Sequence, residues 1–286
     1  MMTIAEALLY GRSQLQATSP TPELDARLLL QHLLRVTHSY LVAHPETPLT
    51  ADQTQQYRRL IARARQKEPI PYLIGAAPFY DCEFQVTPAV LIPRPETELL
   101  VERVIKWVRA RWGEERPLPI LVDVGTGSGC IAITLARQLL QAEVIAIDIA
   151  AAALAVAQAN AQRLAPGRIQ FHQGHLLSPL THAVDVIVAN LPYVTDAEWT
   201  ALDDGVKLHE PAVALKGGRD GLDLIEELLQ QATAKLNPGG AIFLEIGWRQ
   251  GLVVYEVAQT CFPTAHIQVS PDLAGHDRIV MISNIQ

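Results

Sequence analysis

Cysteine is scarce in this 286-residue chain: Cys82, Cys130 and Cys261 are odd in number and far apart. They form neither a disulfide framework nor a Cys-x-x-Cys metal or redox motif, and a reducing, cytoplasmic setting is expected. Long apolar runs are missing as well, since no segment approaches the roughly 18 residues of a membrane span. The N-terminus mixes Glu6, Arg12 and Gln14 with its apolar residues, unlike a signal peptide. Basic residues are outnumbered, 23 Lys and Arg against 30 Asp and Glu, a net charge of -7 that argues against general affinity for a polyanion. Internal repeats and low-complexity segments are absent too.

What is present is apolar sequence, 49% of the chain, enough for a sizeable core in one large domain or in one domain with an appendage. The first 67 or so residues carry only helical patterns. Thr21-Pro22-Glu23 reads as an N-cap, a proline at the first helical position and an early acid. Thr50 starts another helix with Tyr57, Leu60, Ile61 and Ala64 on one stripe and Arg59, Arg63 and Lys67 on another. That basic stripe reads as a solvated helix face, with a docking face as the alternative. Around Pro69, Pro71 and Pro78 the helical pattern stops, and Phe79 to Val86 alternates like a hairpin strand. From Pro95 onward helices alternate with short apolar strands at 120–124, 143–147, 168–172, 184–189, 241–246 and 278–282. The expected fold is α/β, with a mainly parallel sheet covered on both faces. The expected domains are a helical one at 1–70, a hairpin linker at 71–90 and the sheet domain at 91–286.

Within the sheet domain, Asp123-Val124-Gly125-Thr126-Gly127-Ser128-Gly129 runs from a buried strand into the helix starting near Cys130. Glycines belong where φ must be positive or where a ligand lies against the main chain. The next strand ends in Asp148, whose carboxylate suits ribose hydroxyls. An adenosine-bearing cofactor is implied. A nicotinamide fingerprint would place glycine at position 130, which is Cys, and no Lys-Ser or Lys-Thr pair makes this a nucleotide-triphosphate loop.

A second turn, Asn190-Leu191-Pro192-Tyr193, ends the strand 184–189 at the edge where ligands bind in such sheets. A simple strand stop is the bland reading. The functional one is help for a planar nitrogen, a poor nucleophile because its lone pair is delocalised. The Asn190 side-chain oxygen and an adjacent main-chain carbonyl can accept both N–H hydrogens and stabilise the growing positive charge, while Tyr193 stacks on the planar group.

The first turn resembles the Asp-x-Gly-x-Gly-x-Gly signature of class I, Rossmann-like methyltransferases. The whole motif set resembles the HemK (PrmC) methyltransferases, which modify the glutamine of the Gly-Gly-Gln tripeptide in class I peptide chain release factors. Besides the two turns, that set includes 71–75, Leu91 to Glu98, Glu210-Pro211, 218–222, Glu245-Ile246-Gly247 and 272–275. The resemblance implies a helical N-terminal domain that helps dock the release factor, joined by a hairpin to the methyltransferase domain. It implies S-adenosyl-L-methionine held by Gly125, Thr126, Gly127, Ser128, Gly129, Asp148, Leu176 and Asn190. It implies an acceptor glutamine held and activated by Asn190, Leu191, Pro192 and Tyr193, with no membrane and no nucleic-acid substrate.

Three positions depart from the family pattern. Leu191 stands where Asn-Pro-Pro-Tyr is usual, its expected role being a backbone carbonyl. Gly174-His175-Leu176 replaces an acid and an aromatic at the adenine, where His175 can accept from the exocyclic amine and Leu176 can pack on the base. His276 replaces an arginine in a turn. No metal is expected, because His172 and His175 have no third ligand. Glu96 and Glu98 sit in a helix's first turn, where the dipole favours acids, and Cys130 reads as packing. The rival functions are an adenine-amine methyltransferase acting on nucleic acid and a noncatalytic cofactor-binding module.

Overall fold

The computed structural model describes residues 2–112 and 118–283. The first residue of the expected helical domain and the last three of the expected sheet domain lie outside the described residues. The chain divides into two compact units, Met1–Ala76 with Asp203–His209, and Ala77–Leu202 with Glu210–Gln286.

The helical unit contains α1 (Ile4–Leu15), α2 (Pro22–Leu34), α3 (His38–Ala43), α4 (Ala51–Arg65) and α5 (Ile70–Ile74). Thr3 and Thr50 each close a capping box, with Glu6 and Gln53, at the starts of α1 and α4. Thr21 does not cap α2; its hydroxyl donates to Asp25 instead, at 3.2 Å. Leu29, Leu30, Tyr57 and Ile61 are fully buried together, and the Tyr57 hydroxyl donates to the Ala26 carbonyl at 3.0 Å. Leu73 of α5 belongs to the same core, so the helical unit runs past residue 70. Asp203–His209 joins it because Lys67 donates to Asp203 at 3.0 Å and to Asp204 at 3.3 Å. Arg63 is likewise committed to Glu68, so two of the three expected basic-stripe residues are ion-paired within the unit.

The rest of the chain adds β1 (Ala76–Phe79), β2 (Cys82–Gln85), α6 (Pro95–Arg111), β3 (Ile120–Val124), α7 (Cys130–Gln138), β4 (Glu143–Asp148), α8 (Ala151–Leu164) and β5 (Ile169–Gln173). There follow β6 (Val184–Ala189), α9 (Asp196–Ala201), α10 (Asp204–His209, which belongs to the helical unit), α11 (Asp223–Ala232), β7 (Leu236–Glu245), α12 (Gly251–Cys261), β8 (His266–Pro271) and β9 (Asp277–Ser283). Strands β1 and β2 pair as the expected hairpin, and the others form one sheet in the order β5-β4-β3-β6-β7-β9-β8. All pairs are parallel except those of β9, which runs against both β7 and β8. Two features escaped sequence patterning. Strand β8 is an edge whose outward residues are polar, and β7 begins five residues early, through Asn237-Pro238-Gly239-Gly240, where the composition reads as a turn.

Apolar side chains cover both faces, as a parallel sheet requires. Leu121 and Val144 join α6 and α7 residues in one core, while Val122, Ile145 and Ile187 join α11 and α12 residues in the other. Strand alternation therefore turns Asp123 to the α7 side. The chain leaves β3 for β4 on one side and has β6 on the other, so the switch point of the sheet lies between β3 and β6. In register, Val124 pairs with Ile147 and with Ala189. The residues that follow, Gly125, Asp148 and Asn190, stand in one row at the strand ends.

Asn160, on α8, ties this edge to the hairpin. Fully buried, it accepts from the Gln85 N–H at 2.8 Å and donates to the carbonyls of Gln85 and Ser128, each at 2.9 Å. Asn160→Ala leaves three main-chain groups short of a partner, at about 1–3 kcal/mol each before relaxation. A melting temperature lower by roughly 5–10 °C is expected in a thermal denaturation series; an unchanged midpoint would show that water replaces the amide without cost.

Candidate functional site

The row at the strand ends opens on a cavity of about 220 Å3, far more than the roughly 15 Å3 one water needs. Gly125, Thr126, Gly127, Ser128, Asp148, Leu176, Asn190, Leu191 and Pro192 all line it, as do His175 and Cys130. Residues expected from two separate turns and two further strand ends thus share one wall.

Gly125, Gly127 and Gly129 all have positive φ, which a side chain would strain. They differ in what they meet. A Cβ on Gly127 would meet only the Gly125 carbonyl oxygen, at an ordinary 4.0 Å, whereas one on Gly125 would press the Leu191 side chain at 3.1 Å. Gly129 stands outside the lining: a Cβ there would meet Ile133 at 2.9 Å and Ala157 at 3.2 Å, so its glycine serves the packing of α7 on α8. Asp148 accepts from the Gly127 N–H through one oxygen and from the Ala150 N–H through the other, each at 2.9 Å. Each oxygen keeps lone-pair capacity for a ligand hydroxyl.

Asp123 lies beneath the same turn, 1% exposed, with one oxygen accepting from the Thr126 hydroxyl at 2.6 Å and the Ala132 N–H at 3.1 Å. Its other oxygen is buried without a hydrogen-bond partner. Burial pushes the carboxyl up to about 7 against those two bonds, and the Asp148 charge adds to the rise. Arg94, the cation among the lining side chains, is committed to Glu210, which also accepts from the Ile92 N–H at 3.3 Å. The donor set is acidic where a phosphate would need cations. It fits an adenosine whose other end carries positive charge. Cys130 is a neutral thiol, pushed up to about 12 by burial and then by Asp123.

At the turn after β6, the Asn190 amide donates through Nδ2 to Thr97 Oγ1 at 3.1 Å. Thr97 donates on to Glu245 at 2.7 Å, and the Tyr193 hydroxyl meets the other Glu245 oxygen at 3.4 Å. Glu245 is 2% exposed, and burial raises its carboxyl to about 6 although Thr97 and Arg278 oppose the shift. Tyr193 does not line the cavity; its ring lies near Gly247 and its carbonyl accepts from Gln250 at 3.1 Å. Gln250 also donates to the Asp220 and Gly221 carbonyls, both at 3.2 Å, and accepts from the Gly247 N–H at 2.8 Å. One side chain therefore joins three of the motif segments. The Leu191 side chain, given no work in the sequence reading, is 5% exposed and packs on Gly125.

His175 Nε2 sits 2.8 Å from Glu227. The carboxylate can only accept, so a neutral ring carries its proton there and leaves Nδ1 as an acceptor. Leu176, buried at a positive φ, lines the cavity beside it. Glu98 accepts from the Tyr80 N–H at 2.8 Å and Glu96 is exposed, so neither faces the cavity. Asn160, Gln250 and the Thr97–Glu245 pair went unremarked as site residues. Their signal was a polar side chain on an otherwise apolar face, which gains meaning only when the partner is known. Among the described residues, no helix is long and apolar enough to cross a membrane, and no group of three or more His, Cys, Asp or Glu is placed to hold a metal ion.

Comparison with known proteins adds two family models, the PrmC N-terminal domain over residues 6–75 and a methyltransferase domain over 119–261. A release factor glutamine methyltransferase of Koribacter versatilis is 40% identical over 98% of both chains. One from Bacillus subtilis is 37% identical over 98% of this chain and 97% of its own. A methyltransferase from Pyrococcus furiosus shares the fold at a TM-score of 0.54, with 16% identity over 81% of this chain and 98% of that one.

The unpartnered Asp123 oxygen carries a prediction for the ligand-free protein. Its carboxyl is raised in the folded state, so the folded chain holds the proton that the unfolded chain releases. Its share of stability is full below about pH 4, the ordinary carboxylate range. That share is lost as pH rises through about 7. Asp123→Asn should flatten the melting-temperature profile between about pH 4 and 7; an equal slope in both proteins would place the proton elsewhere.

Proposed function

The chain belongs to the release factor glutamine methyltransferases, and on that premise we propose that it methylates the side-chain amide nitrogen of the Gly-Gly-Gln glutamine in class I peptide chain release factors. The single observation that carries the reading is the junction of the two turns. Gly125 and Asn190 leave adjacent parallel strands side by side, so a cofactor on one turn meets an acceptor on the other.

S-adenosylmethionine, held by Gly125 to Ser128, Asp148 and Leu176, supplies a methyl group on a cationic sulfonium. Asp148 takes the ribose hydroxyls on its remaining lone pairs. The Asp148 carboxylate on the cavity wall, with Arg94 committed to Glu210, favours a cationic ligand over a phosphate. Asn190 Oδ1 and the Leu191 carbonyl accept the two N–H hydrogens of the glutamine amide. This turns the nitrogen's lone pair toward the methyl group and stabilises the positive charge that the nitrogen acquires. Pro192 shapes the slot, with Tyr193 behind the turn on Glu245, and the nitrogen then releases one proton to solvent. The helical unit matched by the PrmC N-terminal model serves to dock the release factor.

Mass spectrometry of a release factor incubated with the enzyme and labelled cofactor should show one added methyl, on that glutamine. Methyl label in nucleic acid alone would make the protein an adenine methyltransferase, and tight cofactor binding with no transfer would make it a binding module. Asn190→Ala should lower turnover by roughly a hundredfold or more while cofactor affinity is largely kept; unchanged turnover would remove Asn190 from the chemistry.

A further inference from the structure

An asparagine amide is useful to a planar N–H2 acceptor only with its oxygen toward the ligand, and the two orientations differ little in shape. Something must choose between them. The choice lies in the hydrogen bonds behind the turn. Asn190 meets Thr97 Oγ1 at 3.1 Å, and Thr97 Oγ1 meets Glu245 Oε2 at 2.7 Å. A threonine hydroxyl has one proton to give, and an ionised carboxylate can only accept. With Glu245 ionised, that proton belongs to Glu245, so Thr97 faces Asn190 as an acceptor and receives the NH2 end of the amide.

We propose that Thr97 and Glu245 are positioning residues for the reaction. Glu245 polarises Thr97, Thr97 holds the Asn190 amide in one of its two orientations, and the Asn190 oxygen is thereby presented to the acceptor nitrogen. The proposal rests on the reading of Asn190 as the ligand of that nitrogen.

Both positioning groups are protected from water, Thr97 at 3% and Glu245 at 2% exposure, so solvent does not scramble the direction of the chain. They come from different elements, the first turn of α6 and the last residue of β7. Of the opening residues of α6 it is the threonine between the two acids that touches the site. Glu245 is also the residue whose ionisation sets the direction. The charged and titratable groups around it are Arg278 on β9, Glu96 on α6, the Tyr193 hydroxyl and, on α7, the neutral thiol of Cys130. Arg278 favours the ionised form and Glu96 opposes it, while burial is the largest influence and raises the carboxyl to about 6. Once protonated, Glu245 becomes a donor to Thr97. Thr97 can then donate to Asn190, which favours the inverted amide. Turnover should therefore fall as pH drops through about 6 and be level above it.

The test compares the full-length wild type with Thr97→Val, Thr97→Ser and Glu245→Gln on release factor, reading kcat, KM for the protein substrate, cofactor Kd and the pH profile of kcat. Thr97→Val removes the hydroxyl at nearly constant shape. It should lower kcat by about tenfold or more, the scale of one lost hydrogen bond to a part-buried amide. Cofactor Kd should stay within about twofold, because the loss falls on the transition state. Thr97→Ser should stay within about threefold of wild type, since it keeps the hydroxyl. Glu245→Gln, which cannot ionise, should be slow at every pH and lack the acid limb. If that variant does not fold, the Thr97 pair decides alone.

Wild-type kcat in Thr97→Val overturns the proposal, as does an acid limb that survives in folded Glu245→Gln. Failure of the underlying reading is separate: Asn190→Ala with full turnover removes the ligand itself. A slow Asn190→Ala beside a fast Thr97→Val removes only the positioning chain.

Discussion

The site depends on the parallel register of β3 with β4 and β6. Because Val124 is level with both Ile147 and Ala189, the next residue along each chain segment stands at the same height at the end of the sheet. Those residues are a glycine, an aspartate and an asparagine. No loop needs to reach far to bring them together, since the hydrogen-bond ladder of the sheet does the placing. A shift of two residues in either pairing, which would preserve the faces of every side chain, would move Asp148 or Asn190 about 7 Å along the strand. The buried apolar residues on both faces of β3, β4 and β6 hold that register against slippage.

Around this row the protein spends polar groups in dry places. Asp123, Asn160, Glu210, Glu245 and Gln250 are all buried, and all but Asp123, which binds its own turn and the start of α7, tie together segments that lie far apart in the chain. Such groups cost free energy unless they are bonded. Asn160 holds the hairpin to the cofactor turn, Glu210 holds Arg94, and Gln250 holds the acceptor turn to the segments around Gly221 and Gly247. Gly221 shows how tight the arrangement is, since a Cβ there would fall 2.1 Å from the Tyr193 carbonyl. These contacts make the acceptor turn rigid before any ligand arrives, which suits a reaction that relies on orientation.

Two of the buried acids have their carboxyls raised by desolvation, Asp123 to about 7 and Glu245 to about 6, and they stand behind different turns. Asp123 has an oxygen with no partner beneath the cofactor turn, whereas both Glu245 oxygens are engaged, one by Thr97 and one by Tyr193. The first leaves one buried oxygen without a hydrogen-bond partner in the chain. The second is complete in the chain itself.

Local chemistry was legible in the sequence. Glycine spacing marked a turn that needs positive φ, alternating helical and strand patterns marked a covered parallel sheet, and Asn190-Leu191-Pro192-Tyr193 marked the end of a strand. These are properties of neighbouring residues, and neighbouring residues suffice to determine them. Other things were not legible for the same reason. Strand β8 is an edge whose pattern is weak without its partner β9, and the segment Asp203–His209 joins the helical unit through Lys67, some 136 positions away in the chain. Gly129 and Tyr193 belong to the right motifs but face packing and a buried carboxylate, not the cavity. By itself the sequence determined which residue types stand at each strand end. Only the tertiary structure decided which of them share a wall and which way the Asn190 amide points, because both depend on partners that packing alone brings within hydrogen-bond distance.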